Sequence, residues 1–252
     1  MKFSLVNGER LPPFPKGRGI CPVCGYKTVA RCGTQKIWHW AHRPGKECDK
    51  WWESETEWHR DWKEYWPDEN QEVVHFDEET GEKHIADVKN DNAVVIEFQN
   101  SPLALDELRS RELFYKNMIW IVNAEKFQHN IKIGGKLPNP NNEEFKEICL
   151  YSTLKNGHWI FYRRSDERDG WRLCQPFPEI EDNIESSHIG HYSFSWKRPK
   201  KVWLNATKPV LFDFGYGTLW NLCRFTPDKP DSFCLRKYNT QQVISLYGGM
   251  VN

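Results

Sequence analysis

Asp87, Glu97 and Gln99 follow the spacing D-x9-E-x-Q, within the stretches "HIADVK" and "VVIEFQNS". Two carboxylates brought together across a hairpin repel each other unless a cation lies between them. A divalent ion such as Mg²⁺ or Mn²⁺ takes a few carboxylate oxygens and leaves its other positions to water and phosphate oxygens. Such an ion activates a water and stabilises charge on phosphorus, which is the chemistry of phosphodiester hydrolysis. Taken alone, Glu97 and Gln99 also suit the solvent face of an ordinary edge strand. Upstream, Glu55, His59 and Lys63 recur at four-residue steps, one stripe of a helix. That stripe is either a solvated face or a further wall of the same site.

A second constellation lies nearer the amino terminus. "CPVCG" is a C-x2-C turn closed by glycine, followed by "HWAH" and Cys48. Zinc takes four N/S ligands in a tetrahedron, and a closed set of four protein ligands marks a structural site. The preferred set is Cys21, Cys24, His42 and Cys48. His39 competes with His42, and Cys32 is a weaker alternative. If "KIWHWAH" is extended, His39 and His42 face opposite ways.

These residues need elements to hold them. "WESETEWHRDWKEYW" has a 3.6-residue rhythm and stops at Pro67, so it is expected as a helix. "EVVHF", "KHIADVK" and "AVVIEFQ" read as strands, with a turn at "DEETGE" and a hairpin at "NDN". A hairpin centred near Asp91 sets Asp87 opposite a residue close to Val95, with Glu97 a diagonal neighbour on the same face. "PLALDELRSRELFYKN" is expected as a helix with Ser101 as N-cap and Pro102 at its first position. "MIWIVN" is a nearly continuous apolar strand, as at a buried position. The order is αβββαβ.

The 252 residues divide into three expected parts: a metal-stapled module within 1–50, the αβββαβ run in 51–135, and a β-rich part in 145–252. "GGKLPNPNNEE" reads as the linker before the last part. A composition 38% hydrophobic with 13 Trp supports a packed core and excludes a disordered chain. With 35 basic and 35 acidic residues, nucleic-acid affinity would have to come from a local basic groove. The start lacks a secretory apolar segment and no apolar run reaches membrane length, so the expected location is cytoplasmic, with no membrane partner. In a reducing compartment, scattered cysteines such as Cys149, Cys174, Cys223 and Cys234 are expected as small packed hydrophobes.

Taken together, "CPVCG", "HWAH", Cys48, "ETEWHRDWK", "HIADV", "IEFQNS" and "LRSRELFYKNMIWIVN" resemble the CoiA-like competence-protein family, a branch of the PD-(D/E)XK nuclease superfamily. The resemblance covers roughly residues 18–125, about half of the chain. It implies an α/β, restriction-endonuclease-like αβββαβ core with an amino-terminal zinc knuckle and a carboxy-terminal β-rich domain. It implies a nuclease acting on DNA during uptake, recombination or defence, with recombination or defence proteins as possible partners. On this likeness Asp87 and Glu97 hold the catalytic Mg²⁺ or Mn²⁺, and Gln99 orients the attacking water or contacts phosphate. Glu55 resembles an extra helix ligand, while His59, Lys63 and His84 would contact phosphate or support the ligands. Arg111 and Tyr115 would support Gln99 or the scissile strand. Gln99 departs from the family pattern, which has lysine there, so activity would be slower, or would depend more on the metal or on a neighbouring cation such as Lys63.

In the last part, "HWIFYRR", "GWRLCQPF", "KVWLNATKPVLFDFG" and "TLWNLCRF" are expected as strands or turns. "SWKRPKKVWL" interleaves basic and aromatic residues, a pattern that suits single-stranded or branched DNA but also an ordinary polar turn. Two other readings stand beside the nuclease: a catalytically inactive nucleic-acid-binding protein with a retained nuclease fold, and a zinc-stabilised interaction scaffold.

Overall fold

The computed structural model describes residues 1–42, 48–168, 171–172 and 184–251. The chain is mixed α/β and groups into two compact units, residues 1–120 with 244–252, and residues 121–243.

The first unit opens with a five-stranded antiparallel sheet in the order β2-β1-β3-β4-β5. Its strands are β1 (Ser4–Val6), β2 (Glu9–Leu11), β3 (Arg18–Ile20), β4 (Lys27–Arg31) and β5 (His39–His42). Asn7 and Gly8 both have positive φ, the conformation that a tight hairpin between β1 and β2 requires. Trp40 of β5 is buried with Met1 and Cys21, so the sheet closes on a small core rather than on air.

Next come α1 (Glu57–Lys63), β6 (Gln71–Phe76), β7 (Lys83–Lys89), β8 (Val95–Gln99), α2 (Leu105–Tyr115) and β9 (Met118–Asn123). β6, β7, β8 and β9 are neighbours in that order. β7 alternates as its sequence demands: His84, Ala86 and Val88 are buried, while Ile85, Asp87 and Lys89 are half-exposed. β8 is buried on both faces, so Glu97 and Gln99 are enclosed and not solvent-facing.

Three details differ from the sequence reading. α1 begins at Glu57, because Thr56 and His59 form a capping box that starts the helix there. Glu55 therefore precedes the helix. α2 begins at Leu105 with Ala104 as its N-cap, and Ser101 instead accepts hydrogen bonds from the Gln99 amide. Asp106 and Glu107 then occupy its first turn, where the helix dipole favours acids. The β7–β8 hairpin is also longer than expected. Asn90 N–H donates to the Val94 carbonyl and Ala93 N–H to the Asn90 carbonyl, with Ala93 at φ 57°. The register Lys89↔Val95, Val88↔Ile96 then carries Glu97 directly across from Asp87.

Residues 244–252 complete this unit. The Tyr247 carbonyl accepts from Trp66 Nε1 and from Asn90 Nδ2, both at 2.9 Å, and Met250 N–H donates to the Tyr65 carbonyl at 2.7 Å.

In the second unit, β10 (Ile131–Lys136), β15 (His191–Trp196), β18 (Phe233–Asn239), β17 (Thr218–Arg224) and β16 (Val210–Asp213) lie side by side in that order. β11 (Ile148–Thr153) and β12 (His158–Arg163) form a hairpin, and β13 (Glu167–Arg168) pairs with β14 (Trp171–Arg172). Its core includes Leu137, Ile148, Leu150, Phe161 and Phe225. The stretch read as a linker is thus a strand end, Gly134–Lys136, followed by a fully buried leucine. Most of the strand expected in "GWRLCQPF", with Cys174, lies outside the described residues. "KVWL" is a short helix (Lys201–Leu204) instead of a strand. Trp196 is 0% and Trp203 4% exposed, so neither tryptophan of "SWKRPKKVWL" is free to stack on a base. Trp196 packs against Phe127 and Phe212 instead. No helix among the described residues is long and apolar enough to cross a membrane.

Candidate active site

The cysteine and histidine ligands converge. In "CPVCG" the Gly25 N–H donates to the Cys21 carbonyl, and Gly25 takes φ 70°, so the turn needs a residue free of Cβ strain. The ligand atoms of Cys21, Cys24, His42 and Cys48 all lie within 4.8 Å of one another. With bonds of about 2.3 Å to sulfur and about 2.0 Å to nitrogen, a tetrahedral zinc spaces its ligands by about 3.8 Å (S to S) and about 3.6 Å (S to N). Cys21 Sγ and Cys48 Sγ are 3.8 Å apart, and Cys24 Sγ and His42 Nε2 are 3.3 Å apart. The Cys₃His set therefore fits a structural zinc. His39 lies on the same strand but outside the cluster, its Nδ1 against the Ile37 carbonyl, and Cys32 is likewise outside. Burial pushes the Cys21 thiol up, and burial together with the neighbouring sulfurs pushes Cys48 up.

The second cluster lines a cavity of about 60 Å³, room for a few waters or a hydrated ion. Asp87 and Glu97 form its floor. The β7–β8 register runs through Lys89↔Val95 and Val88↔Ile96, and at the next position the two carboxylates bond the facing backbone. Asp87 N–H donates to Glu97 Oε1 at 3.2 Å, and Phe98 N–H donates to Asp87 Oδ2 at 3.0 Å. Each carboxylate is thus pinned by the opposite strand's backbone. Burial first, then the Asp87 charge, pushes Glu97 up to about 8, although Arg111 works the other way. Two carboxylates held this close, one of them pushed toward its protonated form, suit a shared cation. This donor set fits a hard divalent cation.

Lys63 enters from α1, only 3% exposed. Its Nζ lies 2.9 Å from Asp87 Oδ1, 3.1 Å from Glu55 Oε1 and 3.4 Å from Glu72 Oε1. Burial opposes the ammonium charge, but the three carboxylates outweigh it and hold the lysine protonated. Glu55 reaches the cavity from the segment before α1. Burial works against its ionisation, yet Lys63 and Arg60 hold it down to about 2.

His59 is buried and its roles are fixed by its partners. Nδ1 accepts from Thr56 N–H, so Nε2 is the donor, to Glu53 Oε1 at 2.8 Å and to the Phe98 carbonyl at 3.1 Å. Gln99 is buried but does not line the cavity. Its amide donates to Glu53 Oε2 and to Ser101, and its Oε1 has no hydrogen-bond partner among the described residues. His84 lies between Asp49 and Glu82 with Trp51 stacked on its ring at 3.3 Å. Arg111 supports Glu97 rather than Gln99: Nη1 donates to Glu97 Oε2 at 2.9 Å and Nη2 to the Trp51 carbonyl at 2.8 Å. Burial pushes the Tyr115 hydroxyl well up, beside the same carboxylates.

Three acids were missed in the sequence. Glu53 links His59 to Gln99. Asp49 accepts from the Ile85 N–H. Glu72 faces Asp87 in the β6–β7 register, at φ 45°, and accepts from the Lys2 and Phe3 amides. The alternation of acids in "WESETE" was the available signal for Glu53. For Glu72 it was the hairpin partner of Asp87.

Residues 16–50 match the family profile described as competence protein CoiA, N-terminal domain, and residues 83–196 match that of the CoiA nuclease-like domain. No significant match came from curated proteins or from solved structures. The first matched segment holds Cys21, Cys24, His42 and Cys48, and the second holds Asp87, Glu97 and Arg111. The segment between them supplies Glu53, Glu55, His59, Lys63 and Glu72. Two profiles of one family, spanning more than half of the sequence between them, place this chain in the CoiA-like competence-protein family.

Proposed function

We propose that the protein is a metal-dependent deoxyribonuclease of the PD-(D/E)XK type, acting on DNA in uptake, recombination or defence. The observation that carries this reading is the pairing of Asp87 and Glu97 in one cavity with a buried lysine against them. The order α1, β6, β7, β8, α2, β9 supports a restriction-endonuclease-like core, and the Cys₃His cluster a structural zinc.

Asp87 and Glu97 would hold one Mg²⁺ or Mn²⁺, which supplies Lewis-acid polarisation of the phosphate and an acidified water. The chain's own residues do the rest. Lys63 provides a fixed positive charge beside Asp87, where negative charge develops on the phosphoryl oxygens. Glu55 and Glu72 keep that ammonium in place. Arg111 orients Glu97, and Glu53 holds His59 Nε2 and the Gln99 amide. Lys63 thus takes the part that a lysine two residues after Glu97 would play, and Gln99 becomes a supporting residue.

A second reading, a nucleic-acid binder without chemistry, draws on the same substitution of Gln99 for lysine. The test is incubation with single-stranded, duplex and branched DNA in Mn²⁺, Mg²⁺ or EDTA. Cleavage that needs the metal and is absent in Asp87→Ala supports the nuclease. Metal-independent binding without cleavage selects the binder, and an absence of both rejects each.

A further inference from the structure

Residues 48–55 belong to no helix or strand, yet they touch nearly every part of the carboxylate cavity. Asp49 Oδ2 accepts from Ile85 N–H at 2.9 Å, two residues from Asp87 on β7. Asp49 Oδ1 accepts from Trp51 N–H at 2.9 Å and lies 2.7 Å from His84 Nδ1. The Trp51 carbonyl receives Arg111, which holds Glu97. Glu53 meets the end of β8 through Gln99 and through Asn100 N–H at 3.4 Å. Glu55 pairs with Lys63. The odd-numbered residues thus stitch β7, β8, α1 and α2 together.

A segment without a backbone ladder keeps its place only through its ends and its side chains. One end runs into the capping box at Thr56. The other end is Cys48, whose sulfur belongs to the Cys₃His cluster. Asp49, the very next residue, is 8% exposed and reaches β7.

We propose that the zinc cluster is a positioning device for the nuclease cavity, acting through the strap of residues 48–55, with Asp49 as the first positioning residue. This rests on the nuclease reading for its consequence, though not for its geometry. Zinc at Cys48 fixes the start of the strap, Asp49 carries that constraint to β7, and Trp51 carries it through Arg111 to Glu97. Loss of zinc then loosens the carboxylate pair as well as the knuckle.

The experiment compares zinc-loaded protein, zinc-depleted protein, Asp49→Asn and, as control, Lys36→Ala at an exposed position outside the strap. Zinc content, amide hydrogen exchange and Mn²⁺ binding by electron paramagnetic resonance are measured on each. In Asp49→Asn we expect one zinc per chain to be retained. Exchange across residues 83–101 should quicken and Mn²⁺ affinity should fall by about tenfold or more. Zinc depletion should give the same pattern, with exchange in residues 210–239 unchanged as the folding control, and Lys36→Ala should match wild type. Wild-type exchange at 83–101 in Asp49→Asn overturns the proposal, even if zinc depletion simply unfolds the first unit. A wild-type protein that neither binds Mn²⁺ nor cleaves DNA defeats the nuclease reading instead, and the exchange data still decide the coupling.

Discussion

Lys63 Nζ lies 2.9 Å from Asp87 Oδ1, a contact between a helix and a strand 24 residues apart in sequence. The ammonium also faces Glu55 and Glu72, so it is the hub of a buried charge cluster. Removing one partner of such a cluster leaves uncompensated charge and costs about 3–5 kcal/mol. Lys63→Met is therefore expected to lower stability by that order in denaturant unfolding. DNA cleavage should fall at least a hundredfold at temperatures where the variant is folded. A Lys63→Met protein with wild-type turnover would remove the lysine from the chemistry.

Glu97 carries the pH dependence. Its carboxyl is pushed from 4.5 up to about 8 by burial and by Asp87. The unfolded chain therefore releases this proton first as pH rises. The contribution of this group to stability is complete below the unfolded value and is lost as pH rises through the folded one. A divalent ion displaces the same proton, so Mn²⁺ affinity should climb between about pH 6 and pH 8 and flatten above. Calorimetric titration across that range checks it. An affinity independent of pH would take Glu97 out of the ligand set.

The zinc ligands predict the opposite competitor. Cys21 and Cys48 have thiols raised by burial, so zinc must displace protons that are held tightly. Chelator stripping should be much faster near pH 6 than near pH 8. Cys48→Ser should reduce zinc below one per chain and lower the melting temperature. A variant that keeps full zinc would return His39 or Cys32 to consideration as ligands.

Glu53 is a supporting acid with two clients, His59 Nε2 and the Gln99 amide. Burial alone would raise its carboxyl, but the bonds it accepts hold it ionised. Glu53→Ala should cost about 10- to 100-fold in kcat with a smaller change in KM. Gln99→Ala should cost no more than that, because the amide lies behind Glu53 and does not line the cavity. A far larger loss from Gln99→Ala would restore it to direct contact with substrate.

The strands that carry Asp87 and Glu97 were legible because burial imposes a period of two on β7, and their turn residues bracket them. Their register was not, because Asn90 bonds its own turn through backbone and side chain and so lengthens the loop. The Cys₃His set was legible in ligand types and spacing, and β5 separates His39 from His42 as an extended strand should. Glu55 was assigned to the cavity by a helical stripe that it does not join, since the capping box starts α1 after it. What the sequence concealed was the strap. Asp49 and Glu53 lie in a segment with no periodicity, and their partners are fixed only when the chain is folded. The basic "KRPKK" between two tryptophans left both readings open for a related reason: local pattern cannot tell a surface aromatic from one, such as Trp196, that a distant phenylalanine covers.

The Tyr247 carbonyl, which receives Trp66 and Asn90, has a consequence for the order in which the first unit closes during synthesis. Both donors belong to the unit that holds the cavity, but their acceptor is made only after residues 121–243 have been translated. A nascent chain that has already emerged through β9 still lacks this closing segment. The unit is then left with two unanswered donors and an unpaired Tyr65 carbonyl. Closure of the unit around Tyr65, Trp66 and Asn90 thereby waits for late synthesis, whereas the residues that line the carboxylate cavity all lie within 1–111.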